Sequence, residues 1–199
     1  MLKVDTLVLG NYQTNCYIIR EGSSKTCCVV DPGYSPEVIL RKLDTLGLSL
    51  EAILLTHGHF DHVGAVRELA AQTDCDVYIC EMDLSMPPMF TAGPLYYTHT
   101  YDEGSELDLA GLHIRVLRTP GHTPGSVCLL TEDAMFSGDT LFEGDCGRTD
   151  LPGGSWLQMQ LSLKRLASLE GDYRVYPGHD VATTLAHEKN YNSSLKGAL

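Results

Sequence analysis

Basic residues are scarce in this chain of 199 residues: 14 Lys and Arg stand against 26 Asp and Glu, for a formal charge of −12. An acidic surface repels phosphate backbones, so no nucleic-acid partner is expected. No apolar run approaches membrane-spanning length, and no membrane partner is expected either. The opening Met1-Leu2-Lys3-Val4-Asp5 breaks its apolar pattern with charge and lacks the continuous apolar segment of a secretory signal. No Cys-x-x-Cys pair occurs, and the seven cysteines, Cys16, Cys27, Cys28, Cys75, Cys80, Cys128 and Cys146, are odd in number. They read as reduced thiols in a cytoplasmic protein, with Cys27, Cys28 and Cys128 acting as small hydrophobes in strand-like runs. There is no low-complexity linker and no short repeat, and the length suits one domain over residues 1–199.

What the chain does have is a concentration of metal-ligating side chains. Thr56-His57-Gly58-His59-Phe60-Asp61-His62 sets three histidines and a carboxylate within six positions, directly after the apolar Ala52-Ile53-Leu54-Leu55. Packing requires no such group at a strand end, whereas imidazole and carboxylate are the usual ligands of zinc, iron and manganese. Three other places repeat the grammar: an apolar run, a glycine, then a ligand-type residue. Gly121-His122 follows Ile114–Leu117, Gly138-Asp139 follows Ala134–Phe136, and Gly178-His179 follows Tyr173–Tyr176.

Alternation and punctuation predict strands over Lys3–Leu9, Cys16–Arg20, Thr26–Val30, Ala52–Leu55 and Val77–Cys80 in the first half. Ser35-Pro36 reads as an N-cap followed by Pro at the first helical position, with Gly47 closing that helix. A helix is expected over His62–Gln72. Glu81–Asp102, with its prolines and its Tyr96-Tyr97-Thr98-His99-Thr100-Tyr101 run, reads as a broken helix and an aromatic loop. In the second half, strands are expected at Glu106–Leu109, Leu112–Leu117, Val127–Thr131, Ala134–Ser137 and Arg174–Tyr176. Helices are expected at Trp156–Leu169 and Leu185–Leu195. Trp156 shares a stripe with Met159, Leu163 and Leu166 and is expected in the core. Two similar halves of strands and helices permit an α/β fold in four layers, α/β/β/α.

In an extended segment residues two apart point the same way, so His57 and His59 can share one metal. Asp61 and His62 lie where the chain turns into a helix and can serve a second. The expected arrangement is symmetric: His57, His59 and His122 on one ion, Asp61, His62 and His179 on the other, with Asp139 and a solvent hydroxide between them. Two divalent ions are expected, zinc foremost, with iron or manganese suited to the same donors. Two carboxylates and a hydroxide nearly balance two divalent charges, and such a site lowers the pKa of its water to about neutral.

These motifs, together with Thr119-Pro120-Gly121-His122-Thr123-Pro124-Gly125-Ser126, Ser137-Gly138-Asp139-Thr140 and Tyr176-Pro177-Gly178-His179-Asp180, resemble the metallo-β-lactamase-fold hydrolases, and within them the glyoxalase II group. The resemblance implies the α/β/β/α sandwich, the ligand set above with Asp139 bridging, and hydrolysis of a small thioester. Asp61 would orient the hydroxide, and the leaving thiol departs as thiolate without a strong general acid. Asp145-Cys146-Gly147-Arg148 aligns with a segment that touches glutathione in related enzymes, which makes Arg148 a candidate for binding a substrate carboxylate. With 199 residues, no carboxy-terminal helical domain of the glyoxalase II kind is expected. Gly147-Arg148-Thr149-Asp150 also resembles the persulfide dioxygenases of the same superfamily, which use one iron on the positions of His57, His122 and Asp139. That gives a second reading, and a non-catalytic metal-binding protein is a third. A β-lactamase role is less favoured, because those enzymes generally lack the bridging Asp. His113 and His187 are read as surface residues, and His99 and the nearby tyrosines as candidates for the substrate mouth. Cys146 is read as a small residue filling space beside the backbone.

Overall fold

The computed structural model describes residues 1–198. Its first half runs β1 (Leu2–Leu9), β2 (Thr14–Glu21), β3 (Thr26–Val30), α1 (Pro36–Leu46), β4 (Ser49–Leu54), α2 (Phe60–Val63), α3 (Val66–Thr73), β5 (Asp76–Cys80) and β6 (His99–Tyr101). Its second half runs β7 (Glu106–Leu109), β8 (Leu112–Arg118), β9 (Val127–Thr131), β10 (Ala134–Gly138), α4 (Trp156–Ala167), β11 (Arg174–Pro177), β12 (Thr183–Thr184), α5 (Leu185–Tyr191) and α6 (Ser193–Ala198). The strands form two six-stranded sheets, ordered β1-β2-β3-β4-β5-β6 and β12-β11-β10-β9-β8-β7. From β3 to β6 neighbours are parallel, as are β10 and β11.

The period of two along each strand sorts side chains into layers. Ile19, Cys28, Val30, Ala52 and Leu54 of the first sheet meet Ile114, Val116, Val127, Leu129 and Phe136 of the second in an inter-sheet core. Their neighbours Ile18, Cys27, Val29 and Ile53 face the other way, onto Ile39 and Leu43 of α1 and Val66 and Leu69 of α3. Cys128, Leu130, Met135 and Val175 likewise face Met159, Leu163 and Leu166 of α4. This is the α/β/β/α sandwich. No helix among the described residues is long and apolar enough to cross a membrane.

Five expectations change. Part of the expected aromatic loop, His99–Tyr101, is strand β6, paired parallel to β5. The helix expected over His62–Gln72 is two, α2 and α3, because Gly64 packs against the Gly33 carbonyl and the Ala65 N–H donates to Pro32 O at 2.9 Å. The closing helix also divides: Asn192 turns extended, is fully buried, and its amide donates to Phe142 O, Asp145 O and Glu188 Oε2. Ser35 precedes α1 in a left-handed conformation with no side-chain cap, while Pro36 and Gly47 sit as expected. Trp156 is not core but 49% exposed. It lies in the first turn of α4 at the border of the buried stripe, and helical side chains lean toward the N-terminus, which carries the ring past the sheet.

Phe136 is fully buried and packs on Tyr17 and Tyr176 with ring centroids 5.3 and 5.1 Å away. Phe136→Ala is expected to remove about 3–5 kcal/mol of stability, and Trp156→Ala less than about 1 kcal/mol. Urea unfolding of both variants measures this; equal losses would contradict the layer assignment.

Candidate metal centre

The ligand-type residues lie on the segments that follow β4, β8, β10 and β11, with Asp61 and His62 in the single turn of α2, at one edge of the sandwich. Hydrogen bonds between the halves hold these loops together. Val127 N–H donates to Thr56 O at 2.9 Å, Asn15 N–H to Gly178 O at 2.8 Å, and Tyr17 O–H to Pro177 O at 2.6 Å. Tyr101, expected at a substrate mouth, is instead buried between the sheets with its hydroxyl donating to Leu55 O.

All seven candidate residues come together. His57, His59 and His122 offer ligand atoms within 4.8 Å of one another, and so do Asp61, His62 and His179. Asp139 lies between the two trios: its Oδ2 is 3.4 Å from His122 Nε2 and 3.6 Å from His179 Nε2, and its Oδ1 is 3.4 Å from His62 Nε2. All except the half-buried His179 are buried.

The outer nitrogens set the tautomers. His122 Nδ1 donates to Arg148 O at 2.7 Å, His62 Nδ1 to Asp31 Oδ2 at 3.0 Å, and His179 Nδ1 to Tyr12 O at 3.1 Å. Thr56 Oγ1 donates to Asp31 Oδ2 at 2.6 Å and so accepts from His57 Nδ1 at 3.2 Å. In its neutral form each of these rings presents Nε2 to the cluster, the arrangement of metal-ligating histidine. His59 differs, with its Nδ1 2.8 Å from His122 Nε2. His57 Nε2, His59 Nε2, His62 Nε2 and Asp139 Oδ1 are buried with no hydrogen-bond partner. Buried polar atoms in native proteins are nearly always satisfied, so four orphans facing one space fit a bound cation. A further trio, Asp31, His57 and His62, is equally tight, but the Asp31 oxygens accept from Thr56 N–H, Thr56 Oγ1 and His62 Nδ1 and orient rings instead.

The electrostatics agree. Burial, and then the neighbouring imidazoles, hold His57 well below its ordinary pKa, and burial brings His59 down to about 4. Neutral rings are the form that ligates. Burial also pulls on His62, but Asp139, Asp31 and Asp61 carry it up to about 9. The carboxylates that hold a proton there favour a cation equally. Burial works against the Asp61 carboxylate, yet the bond to His179 and the charge on His62 lower its pKa well below the usual range.

A model of the metallo-β-lactamase superfamily matches residues 9–179. The chain belongs to this superfamily. Among its relatives, the hydroxyacylglutathione hydrolase GloC of Haemophilus influenzae is 31% identical, with 98% of each chain covered. The crystal structure of BLEG-1 B3 metallo-β-lactamase superposes with a TM-score of 0.87 at 32% identity, covering 99% of this chain and 100% of that one. TTHA1623 in a di-iron-bound form gives 0.85 at 39% identity, covering 96% and 99%. ETHE1 from Myxococcus xanthus gives 0.87 at 30% identity, covering 98% and 85%.

This superfamily member opens its cluster into a cavity of about 610 Å³. Tyr12, Phe60, Phe90, Phe142 and Leu151 form its walls, and Glu143, Asp145, Arg148 and Asp180 its rim. None of His99, Tyr96 and Tyr97 lines it; His99 stacks on Tyr78. His113 and His187 are exposed, as expected. Arg148 reaches the rim, but its guanidinium makes two 2.7 Å bonds to Asp150.

Sequence reasoning passed over two buried carboxylates. Asp31 carried a signal, since it too ends an apolar strand before a glycine. Asp83 carried none, standing alone in the short 3-10 turn Glu81–Ser85 after β5. Its oxygens accept from Gly58 N–H at 2.8 Å, Gly125 N–H at 2.7 Å and Thr123 Oγ1 at 2.9 Å. It thereby clamps the His57–His59 loop to the His122 loop. Asp83→Ala is expected to cost about 1–3 kcal/mol for each N–H left unpaired and to weaken metal uptake. Unfolding curves and competition with a chromophoric chelator measure the two effects, and unchanged values in both would show that the loops hold without the clamp.

Proposed function

We propose that the protein is a two-metal hydrolase that cleaves a small thioester. One observation carries the reading: two complete trios of ligand atoms with Asp139 between them, at the floor of an aromatic-walled cavity. His57, His59 and His122 would hold one divalent ion and Asp61, His62 and His179 the other, with zinc, iron and manganese all suited to these donors. When bound, such a pair lowers the pKa of water to about neutral and polarises the scissile carbonyl.

The chain's own residues supply position and proton control. Asp61 Oδ2 lies 3.3 Å from both Thr14 Oγ1 and His179 Nε2, which fixes its carboxylate toward the cluster, where it can accept a hydrogen bond from the attacking water and orient it. Phe60, Phe90 and Phe142 exclude bulk water from the thioester. No side chain need protonate the leaving sulfur, since a thiol of pKa about 8.5 departs as thiolate. The likeness to GloC supports this reading.

The likeness to ETHE1, with the Gly147–Asp150 run, supports a second one: a mononuclear iron dioxygenase acting on a persulfide. The equal completeness of the second trio favours two ions over one.

Metal analysis of purified protein, paired with assays of thioester cleavage and of oxygen uptake with a persulfide, decides between them. Two metals with cleavage is the expected result; one iron with oxygen uptake overturns it. His57→Ala and Asp139→Ala are each expected to lose metal and about a hundredfold or more in turnover together. Full metal content and turnover in both would contradict the ligand assignment.

A further inference from the structure

The rim of the cavity is charged in one sense. Glu143, Asp145 and Asp180 line it and are exposed, and among the described residues none of the three has an ion-pair partner. Arg148 is the lone Lys or Arg among the lining residues. Its fork, the natural receptor for a carboxylate, is already filled by the two bonds to Asp150. Rim and pair together therefore carry three uncompensated negative charges. Below them the walls are aromatic and apolar, and the floor holds the unpartnered Asp139 Oδ1 and His59 Nε2, both on residues more than nine-tenths buried. A ligand reaching that floor passes an aromatic throat and leaves its tail among carboxylates.

Resting on the hydrolase reading, we infer that the rim selects thioesters whose thiol portion is apolar and cationic or neutral, and disfavours thiols that carry carboxylates. An anionic tail would meet three like charges and would have to displace Asp150 from Arg148 to find a partner. A cationic tail finds Glu143, Asp145 or Asp180 without breaking any bond. Because these carboxylates are exposed, each contributes modestly and salt screens the effect.

The test uses the full-length, metal-loaded protein and one acyl group on three thiols: thiocholine (cationic, with no free amine to capture the acyl group), N-acetylcysteamine (neutral) and mercaptopropionate (anionic). Non-hydrolysable thioether analogues of the same three are titrated calorimetrically, which reads binding without turnover. The expected order of kcat/KM and of thioether affinity is cationic, then neutral, then anionic. The extremes should differ roughly tenfold at low ionic strength and converge in high salt. Glu143→Gln combined with Asp180→Asn should compress the order in both measurements. Thioethers that bind in the expected order, with no thioester cleaved, would sink the hydrolase reading and leave the rim assignment standing. Cleavage or binding that favours the anionic compound, or no charge preference at low salt, would overturn the rim assignment and leave the hydrolase reading intact. Absence of binding by all three thioethers would also overturn the assignment.

Discussion

Seven ligand-type side chains share one small space at the edge of two sheets, and most of them are fully desolvated. That concentration is the constraint on which the rest of the structure depends. Bare imidazole nitrogens and carboxylate oxygens facing each other out of water are costly, because nothing nearby donates to them. A cation reverses the sign of that cost. The surrounding protein keeps the lone pairs pointed inward by occupying the other nitrogen of His57, His62, His122 and His179 with a hydroxyl, a carboxylate or a backbone carbonyl.

The sandwich makes this arrangement possible by delivering loops from both sheets to the same edge. Parallel neighbours end together, so β3 and β4 bring Asp31 and the His57 loop side by side, and β10 and β11 bring Asp139 beside His179. Backbone approaches are close enough that glycine is required at some of them. A Cβ on Gly178 would lie 2.3 Å from Asp139 Oδ1 and 2.7 Å from His62 Cε1. The buried carboxylate of Asp83 adds a cross-brace between ligand loops that are far apart in sequence.

The centre and the mouth follow different rules. The fold is shared with proteins described as a hydroxyacylglutathione hydrolase, a B3 metallo-β-lactamase and a di-iron protein, so it says little about substrate. The walls and rim come from the short β1–β2 turn, from α2 and from the connections after β5, β10 and β11, the kind of segment that carries function on a rigid scaffold. Phe90, Glu143 and Arg148 line the mouth, and Arg148 is paired with Asp150.

The ligand-type residues were legible in the sequence because they are locally encoded. His122, Asp139 and His179 each follow an apolar run and a glycine, and the cluster from His57 to His62 follows the apolar Ala52–Leu55, since a strand must end where its backbone passes close to the others. Which layer each residue of Cys27-Cys28-Val29-Val30 faces was not legible, because the run is apolar on both faces and only packing divides it between the two cores. The breaks at Gly64 and Asn192 were not legible either, because the Gly33 carbonyl and the Phe142 and Asp145 carbonyls that produce them lie far along the chain. Asp83 was invisible because its three partners are brought to it only by folding, and the aromatic loop misled because Tyr101 finds its hydrogen-bond partner between the sheets. Sequence by itself determined which atoms are able to bind a cation, a property of residue type and short-range spacing. Tertiary structure alone decided which lone pairs face inward, that Asp139 lies between the two trios, and that Arg148 is already paired, since each depends on distances between groups that chain order does not specify.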